Sequence, residues 1–561
     1  MSLSVNCETQ IIDERSLSAK QRHWAGAVLV ISSCLVLFYG LGRLPMLGPD
    51  EPRYAEVARE MFASGDFVSP RLCGCPWFEK PALLYWMAAT AYRLLGVNEL
   101  AARLPCAITA TLTVLLLYYA VSKVTSNAVG FLSAAVLLTS PLFIGFGRAA
   151  VTDMPLAGAV TASLLFLLMS VNSNGRQRLA YWISAWAMAG VAMLAKGLVG
   201  ILMFLAIGGA AYLFSRFRDL PRARLVALGL AVCAVVAATW YGPVIVAHGN
   251  AFVNEFFVNH HFKRYLTNEY HHPEPIYFYP AMIVLGVLPW PAFLVPALAR
   301  FRDSARQPRA EARFLHWLVW SWLVIPVLFF SLSESKLPGY ILPAIPGLAI
   351  IIGLELKRVW QGQSSAALRL AGYITATAAL AIGTGFVVYS RGQAVTRSAL
   401  PAALEYLPLG LALFGAIAMI SGRRRLFLMG TAAVVPSAVL AALVLLSPQL
   451  EASLSLKDLS LTAFNSLKAD EQIAFFIDRE YAPVFYAQGR VLCGGKNNDV
   501  LNAMSTDDLI QALATHPSLI VITDSKWMSA LSGDRRLRLE QIGQQRDQLA
   551  FRIRLTPAGS L

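Results

Sequence analysis

The sequence predicts an α-helical protein that crosses a membrane about thirteen times and ends in a small soluble α/β domain, and three observations carry the prediction. Apolar residues fill 57% of the 561 positions and charged ones only 14%, outside the range of water-soluble globular domains. Apolar runs of spanning or near-spanning length recur from residue 24 to residue 446. The connections between them alternate in charge, every second one being rich in Lys and Arg. The formal charge of +14 sits in those connections as short clusters and forms no continuous stripe, so no nucleic-acid partner is expected.

Taken in order, the runs are 24–42, 103–122, 126–147, 155–173, 180–195, 197–214, 225–247, 276–298, 315–333, 340–356, 370–390, 402–421 and 426–446. The run 81–96 is shorter and carries Arg93, so it is read as an interfacial helix. Basic residues precede the first span and follow the second, fourth, sixth, eighth, tenth and twelfth, from Lys123 to the triplet Arg423, Arg424 and Arg425. Positive charge concentrates in cytoplasmic loops, which puts the N-terminus in the cytoplasm and, for an odd number of spans, the C-terminus outside. The start of the chain lacks a cleavable signal pattern and is read as leading into an uncleaved first helix.

Residues 1–446 are thus assigned to a membrane domain with two long outside loops, 43–102 and 248–275, and 447–561 to a soluble domain. Loops of that length inside a compact protein are usually functional. In the terminal domain, apolar stretches at 473–476 and 519–522 read as strands and 506–515 as a helix, with no glycine-rich phosphate motif. Of the seven cysteines, Cys34, Cys106 and Cys233 lie in apolar runs and pack as small hydrophobes. Cys73 and Cys75 in the first loop and Cys493 in the terminal domain share the oxidising side; unpaired thiols are the default expectation, a bridge between loop and domain the alternative.

The candidate chemical residues all fall on or near the outside face. Gly48-Pro49-Asp50-Glu51-Pro52-Arg53-Tyr54 follows the first span, and an acidic pair beside an arginine at a bilayer surface is costly unless it serves a purpose. Asp50 is placed to cap a short helix with Pro52 in its first turn, and its plain alternative is a cap among surface ion pairs of Arg53, Glu56, Arg59 and Glu60. Glu79 and Lys80 stand between bulky apolar residues, where Lys80 either meets a lipid phosphate or snorkels. Arg148 and Asp153, in the connection between the third and fourth spans, are further candidates, and their plain alternative is an ordinary salt bridge across that hairpin. Lys196 makes up, with Ala195 and Gly197, the whole connection between two apolar runs. Arg264 and Tyr265 follow His260 and His261, and Lys336 precedes Tyr340 in another outside connection. Several cations and the three carboxylates Asp50, Glu79 and Asp153, without a serine triad, thiol pair or ATP motif, suit recognition of phosphate groups at a membrane surface. An activated substrate there would arrive attached to lipid.

These elements, namely 48–56, Phe78-Glu79-Lys80-Pro81, Thr152-Asp153-Met154-Pro155-Leu156, Leu194-Ala195-Lys196-Gly197 and the Lys-Leu-Pro-Gly-Tyr-Ile-Leu-Pro stretch from Lys336 to Pro343, resemble the bacterial lipid A aminoarabinose transferases. These are polyprenyl-phosphate-dependent glycosyltransferases of the GT-C class, akin to protein O-mannosyltransferases. The resemblance implies a GT-C type polytopic fold in the bacterial inner membrane with a periplasmic C-terminal domain. It implies an inverting transfer of 4-amino-4-deoxy-L-arabinose from undecaprenyl phosphate to a lipid A phosphate, giving polymyxin resistance. Asp50, Asp153 and Glu79 would serve catalysis, and Arg53, Tyr54, Lys80, Arg148, Lys196, Arg264, Tyr265, Lys336 and Tyr340 substrate binding. Related enzymes hold a divalent metal on the first-loop acid, for which Glu79 and His260 would be ligands; no other cofactor is implied. The expected partners are the lipid-linked donor, lipid A and membrane lipids, with the chain a monomer and Asp50 meeting the cations in one periplasmic cleft. The rival readings are a protein O-glycosyltransferase using the same kind of donor, and a lipid or sugar flippase.

Overall fold

The structure is a computed structural model; it describes residues 19–217, 221–257, 274–363, 365–392, 399–447, 450–451, 455–477, 481–494 and 501–557. The chain divides into two compact units, one of residues 1–39, 79–83 and 106–445, the other of 40–78, 84–105 and 446–561. Most of the first outside loop, which the sequence analysis placed with the membrane domain, falls in the unit of the terminal domain, while 79–83 falls in the unit of the membrane helices.

In the first unit, among the described residues, ten helices are long and apolar enough to cross a membrane, and two bent pairs raise the number to twelve. A shorter apolar helix, Arg22–Phe38, coincides with the first of the thirteen expected runs. Outward-facing positions keep large apolar side chains exposed, Leu112, Leu213, Val246 and Ile420 among them, as a lipid-facing surface requires. The two bent spans depart from the straight runs expected. Asn127–Leu138 and Pro141–Gly147 meet at 67°, and Phe278–Gly286 and Pro291–Ala299 at 111°. Proline at each break has no N–H to continue the helix and disfavours helical backbone in the residue before it. The breaks are tied together, because the buried Trp290 indole donates to Thr139 Oγ1 at 3.0 Å.

In the second unit, the helix Asp50–Ser64 is followed by a hairpin of β1 (Arg71–Leu72) and β2 (Cys75–Pro76) and the helix Leu83–Leu95. The helix ends on Gly65 at φ 70°, left-handed backbone that favours glycine. The terminal domain is a five-stranded mixed sheet of β3 (Ile473–Phe476), β4 (Asn502–Ala503), β5 (Leu519–Asp524), β6 (Leu537–Gln545) and β7 (Gln548–Leu555), in the order β4-β3-β5-β7-β6. β3 is buried on both faces, hence its uninterrupted apolar sequence. The helix Thr506–Leu513 opens with a capping box, Ser505 and Asp508 each satisfying the other's backbone N–H.

Among the described residues, a disulfide and several polar contacts join loop and domain. Cys73 and Cys493 form a disulfide across 420 positions of sequence, against the default of unpaired thiols, while Cys75 is free. Tyr486 donates to Glu99 Oε1 at 3.0 Å and accepts the Met46 N–H at 3.0 Å. Lys457 Nζ lies 2.7 Å from the same Glu99 oxygen. We expect Cys73→Ser to destabilise this unit by about 2–4 kcal/mol, read as a lower unfolding midpoint; reductant should lower the wild-type midpoint to that level and leave the variant unchanged.

A buried acid ties together one end of the inner strands β3, β5 and β7. Glu471, 2% exposed, accepts from the Lys468 N–H, Ser518 Oγ and Arg552 Nε at 2.9, 2.6 and 2.8 Å. Burial raises its pKa, but the hydrogen bonds and the guanidinium outweigh that and bring it down to about 2. The folded pKa lies below the unfolded one, so this stabilisation is complete above pH 4.5 and disappears as the pH falls towards 2. Urea midpoints measured down that range should fall in wild type and stay flatter in Glu471→Gln.

Candidate functional site

The first unit gathers one compact constellation from three separate connections. Asp153 opens the helix Asp153–Val171, and Lys196 closes the helix Gly175–Lys196, a cation at the negative helix end. Gly197, at φ 79°, takes the turn into the next helix at once, which leaves the lysine on the last turn. Lys196 Nζ donates to Asp153 Oδ1 at 2.6 Å and lies 4.6 Å from the centre of the Tyr340 ring. Both charged side chains are 14% exposed, so removing either partner would cost more than breaking a surface bridge.

The stretch Lys336–Tyr340 packs directly on this pair. A Cβ on Gly339 would fall 2.6 Å from Asp153 Oδ1 and 2.7 Å from Phe146 Cε1, so only glycine lets the backbone approach. Tyr279 holds the stretch by donating to the Leu337 carbonyl and accepting the Leu337 N–H, both at 3.2 Å. Lys336 is 8% exposed and donates to the Ser333 carbonyl at 2.7 Å. Its ammonium is therefore a buried charge, not the plain loop lysine that sequence allowed. The Lys80 ammonium, also buried, donates to Glu79 Oε1 at 2.6 Å.

Two pairings differ from the sequence expectation. Asp153 takes Lys196 as its partner and not Arg148 across the hairpin, since Arg148 sends its guanidinium to the carbonyls of Val36 and Tyr39 at 2.8 and 3.0 Å. Asp50 does not cap its helix. Pro49 occupies the cap, and Asp50 is the first helical residue, its Oδ1 accepting from Arg53 Nη2 one turn on.

In the second unit, Arg53 is encircled by aromatic rings. Its guanidinium carbon lies 5.5 Å from the Tyr54 and Trp77 ring centres and 5.2 Å from that of Tyr481 in the terminal domain. Such contacts hold the guanidinium plane while it holds Asp50. Asp50 keeps 40% of its side chain exposed, available to a reactant. Glu51 serves the fold instead. It is 4% exposed and meets Arg103 Nε and Nη2 at 2.7 Å each, while Arg103 also donates to the carbonyls of Leu41, Leu44 and Pro45. On the next turn Glu56 takes Arg59 bidentately, and burial still pushes the Glu56 carboxyl up to about 7. Glu60 accepts from the N–H groups of Cys73 and Gly74, so the expected surface ion pairs are mostly internal supports.

Sequence reasoning passed over Arg103, Trp77, Tyr279 and Tyr481. Arg103 alone had a signal, an arginine at the mouth of an apolar run. His260, Arg264 and Tyr265 lie outside the described residues. Among the described residues no three His, Cys, Asp or Glu side chains cluster as metal ligands, and Glu79 is paired with Lys80, so the donors present do not make a hard-cation site.

Residues 79–242 match the family model for dolichyl-phosphate-mannose-protein mannosyltransferase. The undecaprenyl phosphate-α-4-amino-4-deoxy-L-arabinose arabinosyl transferase of Erwinia tasmaniensis is 33% identical over 307 residues, 54% of this chain and 54% of that protein. A second such transferase, from Proteus mirabilis, is 30% identical over 62% of each chain. The matches thus span between about half and two thirds of these relatives' length. The crystal structure of ArnT from Cupriavidus metallidurans bound to undecaprenyl phosphate superposes with a TM-score of 0.76, at 23% identity, over 94% of this chain and 97% of that one. The Archaeoglobus fulgidus oligosaccharyltransferase follows at a TM-score of 0.53 and 13% identity, over 91% and 71%. This chain therefore has the ArnT fold, that of a multi-span GT-C membrane protein with a small terminal sheet domain, and is a sequence relative of the undecaprenyl phosphate-aminoarabinose arabinosyl transferases.

Proposed function

We propose that this protein transfers 4-amino-4-deoxy-L-arabinose from undecaprenyl phosphate to a phosphate of lipid A, at the periplasmic face of the bacterial inner membrane. The observation that carries the reading is the half-buried Asp153–Lys196–Tyr340 constellation, seated on the Lys-Leu-Pro-Gly-Tyr stretch of a chain whose relatives are named for this donor. An oxygen of the lipid A phosphate attacks the anomeric carbon. The bond from that carbon to the donor phosphate oxygen breaks, and its electron pair leaves with undecaprenyl phosphate. Negative charge grows on the departing phosphate, where the ammonium groups of Lys80 and Lys196 stabilise it. The acceptor phosphate is already anionic, so no strong base is needed. The exposed carboxylate of Asp50, held by Arg53, is suited to answer a sugar's ammonium or a positive charge developing on its ring. One displacement inverts the anomeric centre.

The disulfide of the second unit supports an outside location for it, since such bonds persist in oxidising compartments. Masking of lipid A phosphates would lower its affinity for polymyxin. The match of 79–242 to protein mannosyltransferases favours one second reading, transfer to protein hydroxyls. Cells that make the donor but lack their own transferase distinguish the two. Mass spectrometry of lipid A should show the aminoarabinose adduct once this chain is expressed; glycosylated peptides with unmodified lipid A would select the second reading.

A further inference from the structure

A cavity of about 420 Å³ lies in the first unit, lined by residues of three connections that the charge pattern of the sequence places on one side, those after the second, eighth and tenth spans. Ser126, Gln307 and Gln361 represent them. Its volume is in the range of ligand pockets. None of the residues assigned to the reaction lines it.

The walls carry an excess of positive charge. Lys357 and Arg358 line the cavity beside Glu355, whose carboxylate is 5% exposed. That carboxylate faces Arg358 Nε at 3.5 Å and accepts from Arg300 Nη1 at 2.6 Å behind the wall, so the one lining anion is shared with a further cation and the lining pair Lys357 and Arg358 leaves the cavity net positive. His316, only 7% exposed, also lines the cavity, and among the described residues its Nε2 has no hydrogen-bond partner although it is shielded from solvent. The imidazole also packs against Phe301, at 4.8 Å between tilted ring centres, which restrains the ring. A buried polar nitrogen without a partner is costly unless something supplies one. Trp320, on the same wall, adds apolar surface.

Cations held at the ends of membrane helices, an oriented nitrogen and hydroxyl and amide groups match a phosphodiester. The apolar wall and the position at the span ends match the lipid that would carry it. We infer that this cavity binds the phosphate headgroup of an anionic membrane lipid, as a site separate from the one that handles the sugar donor. Phosphate oxygens accept from Arg358, Lys357 and His316 Nε2, and the acyl chains leave between the flanking helices.

The test uses the full chain, stripped of lipid in detergent and placed in phosphatidylcholine nanodiscs with increasing phosphatidylglycerol. Native mass spectrometry counts retained lipid. Wild type should retain phosphatidylglycerol over phosphatidylcholine, and Lys357→Gln with Arg358→Gln should lower that preference about 30-fold, from roughly 1 kcal/mol per surface cation. His316→Phe, which keeps the ring packing, should weaken retention without loss of folding. Arg423→Gln with Arg425→Gln, charges of the same sequence face outside the cavity, should leave it unchanged. Equal retention by wild type and the cavity variants, or an equal loss in the Arg423 and Arg425 control, would overturn the assignment. So would thermal stabilisation by inorganic phosphate alone with none by phosphatidylglycerol, which would make the ligand a soluble anion.

Discussion

Asp50→Asn should remove nearly all sugar transfer, at least about 10³-fold, while the protein still folds, because a neutral amide cannot answer positive charge on the reacting sugar. The structure sharpens this expectation. Asp50 is tied to the next turn of its own helix through Arg53 and remains 40% exposed, so its loss breaks no long-range support seen among the described residues. Arg53→Lys is the informative companion. A lysine keeps the charge but not the planar contact with three rings, so activity should fall by about tenfold, corresponding to roughly 1.4 kcal/mol. Transfer is read as labelled aminoarabinose appearing in lipid A in membranes. Wild-type rates in Asp50→Asn would remove this residue from the chemistry.

The second large effect is on folding. Arg103→Met leaves the Glu51 carboxylate buried without its cation and releases the carbonyls of Leu41 and Pro45. Breaking a buried pair from one side costs about 3–5 kcal/mol. We therefore expect a sharply reduced yield of folded protein and protease cleavage within 40–78. Glu51→Gln with Arg103→Met removes both charges and should recover part of the loss. A double variant as unstable as the single one would show that the pair's charge is not the issue and that the carbonyl contacts dominate.

Neighbouring residues in one motif thus have unrelated roles, and this marks what could be read from the sequence. The spans were legible because an apolar run of bilayer length fits little besides a membrane helix, and β3 and β5 because short apolar runs between polar helices fit buried strands. The bends at Ser140 and Leu288 were not, although prolines stand at both, because a proline also fits inside a straight membrane helix, as Pro105 does in Glu99–Val124. Asp153, Lys196 and Tyr340 were each singled out, but spacing could not pair residues from three connections. Asp50 and Glu51 looked alike in sequence; only the partner 52 positions away separates the structural acid from the exposed one. Tyr481 had no local signal, since it comes from the opposite end of the chain.

The Cys73–Cys493 bond has a consequence for how the protein is made. Cys493 is synthesised 420 residues after Cys73, so the loop carrying Asp50 leaves the ribosome well before its covalent partner. At about 5–20 residues per second that interval is of the order of a minute. The loop must wait, unclosed, over that interval, and an oxidant acting too early would find Cys75, two positions away, as the nearest cysteine in sequence.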